Sequence, residues 1–148
     1  MSATTTPYLA PGLAAPRPND LDSAFWAAAA EERLELQRCD SCQRFQWGPE
    51  LICHRCHSFE LGYAEVEPTG VIYSWERVWH PVHPALNGQG PYLVVLVELP
   101  QADNVRMVGN LLGDPNQHVA IGAEVEATFE HHPDAEPPYT LVQWQVVG

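Results

Sequence analysis

The chain has 148 residues, of which 45% are hydrophobic, and this is enough for one ordinary domain or two small ones. Its seven basic residues are all arginines and face 19 acidic residues, so the formal net charge is −12. Because nucleic acids and anionic membranes are bound through cationic side chains, we expect this protein to bind neither. The absence of lysine excludes a Schiff base formed on this chain.

The start of the sequence carries no recognisable export signal. Residues 1–10 lack a basic beginning and a long apolar stretch, and the longest apolar run, residues 92–97, is too short to span a bilayer. We therefore predict a cytoplasmic protein. Since cytosolic thiols stay reduced, this expectation argues against disulfides between its cysteines.

Two segments precede the first cysteine. Residues 1–18 contain four prolines, which predicts a flexible or extended arm. Residues 19–37 predict a helix followed by a lead-in strand. Asn19 or Asp20 can cap the helix, which runs through an alanine-rich stretch and ends near Glu32, after which leucines alternate with polar residues.

The cysteines lie in two C-x2-C pairs, Cys39 with Cys42 and Cys53 with Cys56, and ten residues separate the pairs. Two thiolates on one tight turn can bind one ion together, and two such turns complete a tetrahedral shell of four sulfurs. The spacing therefore predicts a small zinc ribbon over residues 38–62. Sulfur ligation also suits iron, but four thiolates leave no open position for catalysis, so we predict structural Zn²⁺.

Other interpretations of this region are weaker. His54 and His57 lie beside the second pair and could replace a cysteine as ligand, or could be surface residues that bond to the sulfurs. A redox dithiol is the alternative for the whole site, and the presence of two pairs disfavours it.

Residues 63–148 have the pattern of an all-β domain. A nearly continuous apolar run at 92–99 predicts a strand buried on both faces, and the alternation at 124–131 places its acidic residues on a solvated face. Five strands, the first long and kinked, predict an OB-fold barrel, with an SH3-like barrel or an open sandwich as alternatives. The predicted strands cover residues 66–80, 92–99, 105–112, 124–131 and 139–147. The fold class is thus mainly β, with an N-terminal helix, a zinc ribbon and a five-stranded barrel.

We find no convincing catalytic residue in the sequence. A segment of aromatic residues and histidines at 73–84 is the most suggestive one, and Tyr73, Trp75, Arg77 and Trp79 are expected on one strand face. A histidine pair there could act as acid and base, although an ordinary loop is the plainer interpretation. The candidate contacts to CoA or to a partner are Arg77, Trp79, His80 and Arg106.

The order of these segments resembles the DUF35 family over residues 21–131. The resemblance rests on five segments in this order: LELQRC (34–39), the two CxxC pairs (39–56), GVIYSW (70–75), PYLVVLVEL (91–99) and IGAEVEATF (121–129). It implies a rubredoxin-like zinc ribbon joined to an OB-fold. It also implies a small partner of thiolase-like enzymes or of hydratases that act on acyl-CoA thioesters.

The resemblance implies in particular a non-catalytic accessory subunit of a thiolase-like aldolase. Such a complex, expected as a heterotetramer, would perform retro-aldol cleavage of a steroid side-chain CoA thioester. The alternatives are a companion of a hot-dog-fold enoyl-CoA hydratase, a thiolase scaffold, an independent acyl-CoA-binding protein or thioesterase, and, disfavoured by charge, a nucleic-acid-binding module. Because the chain is strongly acidic, we expect the partner to supply most of the CoA pocket.

Overall fold

The computed structural model describes residues 6–148, so the part of the predicted arm at residues 1–5 lies outside them. One α-helix precedes eight strands, two short 3-10 helices lie at Pro84–Leu86 and Pro100–Ala102, and the strands form a three-stranded and a five-stranded sheet. The elements are α1 (Ser23–Ala30), β1 (Leu34–Cys39), β2 (Phe45–Gln46), β3 (Leu61–Val66), β4 (Thr69–Val78), β5 (Tyr92–Leu99), β6 (Val105–Asn110), β7 (Glu124–His132) and β8 (Tyr139–Val146). The predicted fold class is confirmed.

The helix begins three residues beyond the predicted Asp20 cap. The Asn19 side chain instead accepts the N–H groups of Leu21 and Asp22 in the turn before it, and Asp22 occupies the N-cap position. The helix stops because Glu32 takes a positive φ of 60° and the N–H of Arg33 donates to the Ala28 carbonyl. Its buried side packs against β1 and β8 and joins the two sheets.

The small sheet has the order β2-β1-β3 and carries the cysteine region. In the central strand, Leu34 and Leu36 are buried as their alternation predicts. Every residue of β1 pairs with β3, from Leu34 opposite Val66 to Cys39 opposite Leu61. The first cysteine therefore lies at the end of a fully paired strand.

The long strand predicted over residues 66–80 is wrong, because the chain changes sheets there. β3 belongs to the ribbon sheet, whereas β4 belongs to the barrel. Pro68 lies between the two strands and has no N–H to donate to a ladder, which separates them. What looked like a kink in one strand is the junction between the two sheets.

The large sheet has the order β6-β5-β4-β7-β8 and nearly closes into a barrel. Closure occurs where β8 meets β6, since the Leu112 N–H donates to the Trp144 carbonyl at 2.8 Å and Leu111 bridges Trp144 in parallel. The indole of Trp144 is fully buried and lies against Gly109, where any Cβ would come within 3.0 Å of it. The remaining predicted strands match β5 to β8 within a few residues.

β5 differs from its predicted burial on both faces. Leu93, Val95, Val97 and Leu99 are buried, and the residues between them are only half-buried. The inward row fills the barrel, whereas the outer row is on the convex face of the sheet. In the part of the chain that the structure describes, no helix has the length and apolar character needed to cross a membrane.

Candidate functional site

The two cysteine pairs occupy turns that repeat the same backbone pattern. The Gln43 N–H donates to the Cys39 carbonyl at 2.9 Å, and the His57 N–H donates to the Cys53 carbonyl at 3.1 Å. Gln43 and His57 both have a positive φ, 65° and 62°, which closes each turn tightly. The sequence therefore folds into two equivalent knuckles that present their sulfurs to a common point.

The four sulfurs form one cluster. All four Sγ atoms lie within 4.8 Å of one another, and the Cys39–Cys56 and Cys42–Cys53 Sγ pairs are each 3.6 Å apart. A tetrahedral Zn²⁺ with Zn–S bonds of about 2.3 Å separates its sulfurs by about 3.8 Å, so the donor set fits this ion. None of the four cysteines forms a disulfide in the described residues. Bound there, the ion would crosslink both knuckles and contribute to folding rather than to chemistry.

Backbone N–H groups prepare one thiol of each pair as a ligand. The Cys56 and Arg55 N–H groups point at Cys53 Sγ and lower the pKa of that thiol to about 6. The Cys42 N–H likewise lowers the pKa of Cys39. For Cys42, the Arg44 N–H lowers the pKa, but burial and the neighbouring thiolates raise it by a larger amount. The net result is a pKa of about 11. The four-thiolate form therefore needs a cation at the centre of the cluster.

A buried glutamine pair that sequence reasoning missed supports the knuckles. Gln37 and Gln46 are opposite each other on β1 and β2, and their side chains share a 2.7 Å hydrogen bond. Gln37 bonds both backbone groups of Glu50, and Gln46 accepts the His54 N–H and donates to the Ile52 carbonyl. The pair fixes the loop between the knuckles. The sequence holds no signal for it except two glutamines at strand positions beside the cysteines.

Neither neighbouring histidine belongs to the sulfur cluster in the part of the chain that the structure describes. His57 closes the second knuckle through its positive φ, and His54 contributes its backbone N–H to Gln46. Both side chains are exposed. The alternative in which a histidine replaces a cysteine ligand is therefore not supported by this geometry.

The four candidate contact residues do not converge. In the sheet, Arg77 is opposite Leu93 of β5, and Arg106 is opposite Glu98 of the same strand. These two β5 residues are five positions apart. At about 3.3 Å per residue this separates their backbones by about 16 Å. The two arginines therefore lie near opposite ends of β5.

Arg77 is used to hold a loop. Its guanidinium donates to the carbonyls of Pro115 and Gln117 and stacks over the Trp75 ring at 5.2 Å. Trp75 packs against the barrel core. The side chain thus fixes the loop between β6 and β7, with two of its donor atoms already engaged.

Arg106 lies on the outer face of the sheet. It stacks on the Tyr73 ring at 3.7 Å and pairs with Glu98 at 3.0 Å. Tyr73 faces outward because a β-bulge between Ile72 and Ser74 shifts the register of β4. The expectation that Tyr73, Trp75, Arg77 and Trp79 share one face is therefore wrong for Tyr73.

Trp79 and His80 follow the end of β4 in an exposed loop. The Trp79 side chain is 57% exposed, and Val82, farther along the loop, is 98% exposed. Two apolar side chains exposed to this extent in one short segment are typical of a contact surface. We call residues 79–83 the tryptophan loop.

Glu130 is buried, although the alternation of β7 predicted it on a solvated face. Its side chain is only 2% exposed, because the N-terminal arm covers the outer face of β7 and β8 at this end. The Tyr8 N–H donates to the Glu130 carboxylate at 2.8 Å, and the Tyr8 hydroxyl accepts the Leu93 N–H at 2.9 Å. In the described residues 6–18 the arm has no helix or strand but is attached to the barrel by these bonds.

A rubredoxin-like zinc ribbon joined to an OB-fold barrel defines the class of this protein. Two family models match it in succession: the rubredoxin-like zinc ribbon domain of ChsH2 over residues 26–62 and the C-terminal OB-fold domain of ChsH2 over residues 63–130. The chain belongs to the DUF35 family of ChsH2-type proteins, and the resemblance inferred from its sequence is confirmed.

Solved structures agree with this assignment. The chain is similar to the structure titled Ltp2-ChsH2(DUF35) aldolase, with a TM-score of 0.74 and 33% identity over 89% of this chain and 98% of that one. It also shares the fold of a DUF35 protein of unknown function from Sulfolobus solfataricus, with a TM-score of 0.58 and 15% identity over 84% of this chain and 83% of that one.

Two curated relatives carry hydratase names. A probable enoyl-CoA hydratase alpha subunit from Thermomonospora curvata is 38% identical over 85% of this chain. The 3-oxo-4,17-pregnadiene-20-carboxyl-CoA hydratase alpha subunit of Mycobacterium tuberculosis is 30% identical over 82% of it. The chain spans only 38% and 36% of the lengths of these two relatives.

Proposed function

We propose that this chain is a non-catalytic accessory subunit of a thiolase-like aldolase that cleaves an acyl-CoA thioester by a retro-aldol reaction. The observation that carries the proposal is its similarity to the Ltp2-ChsH2(DUF35) aldolase structure, which extends over 98% of the matched chain. A steroid side chain as the acyl group, a heterotetrameric complex and a cytoplasmic location are parts of the same proposal.

The ribbon and the barrel have separate roles in this proposal. Structural Zn²⁺ on Cys39, Cys42, Cys53 and Cys56 keeps the ribbon folded. The exposed tryptophan loop provides an apolar contact for the enzyme subunit. The net charge of −12 favours a partner with a basic docking surface, because complementary charge speeds association.

The proposed contacts with CoA must be divided between two places. Trp79 and His80 lie in the tryptophan loop, where a partner or its CoA ligand can reach them. Arg106 lies on the outer sheet face, and Arg77 is engaged by loop carbonyls. We therefore propose the tryptophan loop as the main contact and assign Arg77 a supporting role.

An activity assay tests the reaction. A thiolase-like enzyme from the same organism is assayed with a 3-hydroxyacyl-CoA, with and without this chain, for release of an aldehyde or ketone and a shortened acyl-CoA. We expect cleavage only when both chains are present. Equal cleavage by the enzyme alone would contradict an obligate accessory role.

The hydratase names of the two curated relatives favour a second candidate function, a companion of an enoyl-CoA hydratase. This alternative predicts that the chain copurifies with a hot-dog-fold protein and that the complex adds water to an enoyl-CoA. Loss of the enoyl absorbance without C–C cleavage would favour the hydratase assignment over the aldolase.

A pair of exposed aromatic residues tests the docking surface. Trp79→Ala removes the aromatic side chain of the tryptophan loop, and Phe59→Ala removes a 77% exposed ring on the ribbon as a matched control. We expect Trp79→Ala to weaken the complex at least tenfold, as central aromatic contacts do, and Phe59→Ala to leave it unchanged. The reverse result would place the interface on the ribbon.

A further inference from the structure

A cleft lies between the N-terminal arm and the outer face of the β7–β8 hairpin. Its volume is about 910 Å³, within the range of small-molecule sites. Arm residues 6–14 form one wall, where prolines, leucines and alanines predominate, and the rest of the lining comes from β7, β8 and residues 87–89. It is distinct from the sulfur cluster and from the tryptophan loop.

A buried polar network ends at the wall of this cleft. Asn110 and Gln143 exchange hydrogen bonds of 2.7 Å and 3.1 Å, and Gln143 donates to Glu130 at 3.4 Å. The other Glu130 oxygen lies 2.6 Å from Nε2 of His132, which lines the cleft. Burying a carboxylate costs stability, so a polar network retained at a cavity wall is typical of a functional site.

The network fixes the orientation of the His132 ring. Its Nε2 is bonded to Glu130, and its face stacks on Tyr139 at 4.4 Å with an interplanar angle of 11°. Burial and the nearby Glu130 charge raise the pKa of Tyr139, so the phenol stays neutral beside the cleft. Among residues 6–148, nothing bonds to Nδ1 of His132, which leaves this atom for a ligand.

We propose that the cleft binds an apolar small molecule through a hydroxyl group that bonds to Nδ1 of His132. A hydroxyl suits this atom in every protonation state, because it donates to an unprotonated nitrogen and accepts from a protonated one. The proline-rich and leucine-rich wall takes the apolar body of the ligand. Glu130 is the positioning residue, since it holds both the histidine ring and the Tyr8 N–H of the arm. The site uses only residues of this chain and is independent of the proposed enzyme partner.

A matched pair of fluorescent probes tests the proposal on the full chain. 1-Hydroxypyrene and pyrene differ by one hydroxyl, and we expect 1-hydroxypyrene to bind saturably and about tenfold more tightly, as one well-placed hydrogen bond allows. Chemical-shift mapping should place it at residues 6–16 and 130–143. Equal affinity for both probes, no saturable binding of either, or shifts confined to the tryptophan loop would overturn the proposal.

Two neighbouring histidines supply the variants. His132→Phe keeps a flat ring against Tyr139 but removes the anchoring nitrogen, so it should abolish the preference for 1-hydroxypyrene. His131→Phe is the control, because His131 bonds to Glu32 and Thr140 on the opposite face of the strand. If His132→Phe still bound 1-hydroxypyrene more tightly than pyrene, Nδ1 of His132 would not be the atom that binds the hydroxyl. If either variant fails to show a cooperative melt, the proposal is still tested on the unsubstituted chain, by the relative affinities of the two probes and by the location of the chemical-shift changes.

Discussion

The side-chain amides of Gln37 and Gln46 face each other across β1 and β2, with Nε2 of Gln46 donating to Oε1 of Gln37 at 2.7 Å. Both side chains are buried, and together they hold the loop between the two cysteine knuckles through its backbone groups. The metal centre therefore depends on uncharged residues outside the sulfur cluster. Such supporting contacts orient ligands in many metal sites.

Gln46→Leu tests this support. The change removes the hydrogen bonds of Gln46 to the His54 N–H, the Ile52 carbonyl and Gln37 Oε1, and each such bond contributes about 1 kcal/mol. We expect a loss of about 3 kcal/mol in urea unfolding and faster transfer of zinc to a chromophoric chelator. Gln145→Leu, at an exposed position of β8, is the control and should change neither quantity. Unchanged zinc transfer in Gln46→Leu would mean that the pair does not support the site.

Cys53→Ser tests the ligand set. Removing this thiol should abolish stoichiometric zinc and unfold the ribbon, since the ion contributes roughly 10–16 kcal/mol of apparent folding energy in zinc-finger peptides. Ser41→Ala, within the first knuckle, should keep the metal. Elemental analysis and the visible spectrum of the Co²⁺-substituted protein are the measurements. An octahedral cobalt spectrum, or iron in place of zinc, would contradict the assignment.

Gly70→Ala tests the close approach of β4 to β5. A Cβ at this position would lie 2.5 Å from Val97 Cγ1 and 2.7 Å from the Glu98 carbonyl oxygen, which no side-chain movement fully relieves. We expect a loss of about 2–3 kcal/mol, as for other overpacked sites. Gly90→Ala, with open space around it, is the matched control. Equal stability of the two variants by thermal unfolding would disprove the tight packing.

Tyr63 links the ribbon sheet to the segment before the helix, because its hydroxyl donates to the Leu21 carbonyl at 2.6 Å. Burial, with a contribution from Asp22, raises its pKa to about 12. The folded state thus keeps a proton that the unfolded state loses near pH 10. The contribution of Tyr63 to stability is therefore fully present below about pH 10 and is lost as pH rises through about 12.

Tyr63→Phe should therefore have two effects. It should cost about 1 kcal/mol at neutral pH through the lost hydrogen bond, and it should make the alkaline decline shallower. Urea unfolding from pH 7 to pH 12 measures both. Tyr73→Phe, at an exposed ring, should leave the pH profile unchanged. An identical alkaline decline in Tyr63→Phe would show that another group controls it.

Features set by local chemistry could be predicted from the sequence. The cysteine spacing defines the knuckles, because two thiolates on a short turn satisfy one ion regardless of distant contacts. Alternating leucines in β1 and the apolar run of β5 identify both segments as strands, although only one face of β5 is buried and the sequence predicted two.

Features set by distant contacts could not be predicted. Pro68 separates two sheets instead of kinking one strand, and only the pairing partners of β3 and β4 reveal it. The bulge that turns Tyr73 outward depends on register with β5. Glu130 follows the alternation of a solvated strand, yet the arm from more than a hundred residues away covers it.

We propose above all that this chain is the accessory subunit of a thiolase-like enzyme. Co-expression of the two, followed by size-exclusion chromatography with light scattering, tests it most directly. We expect one peak whose mass contains both subunits. Two separate peaks, with this chain eluting at its own mass of 16.5 kDa, would contradict the account.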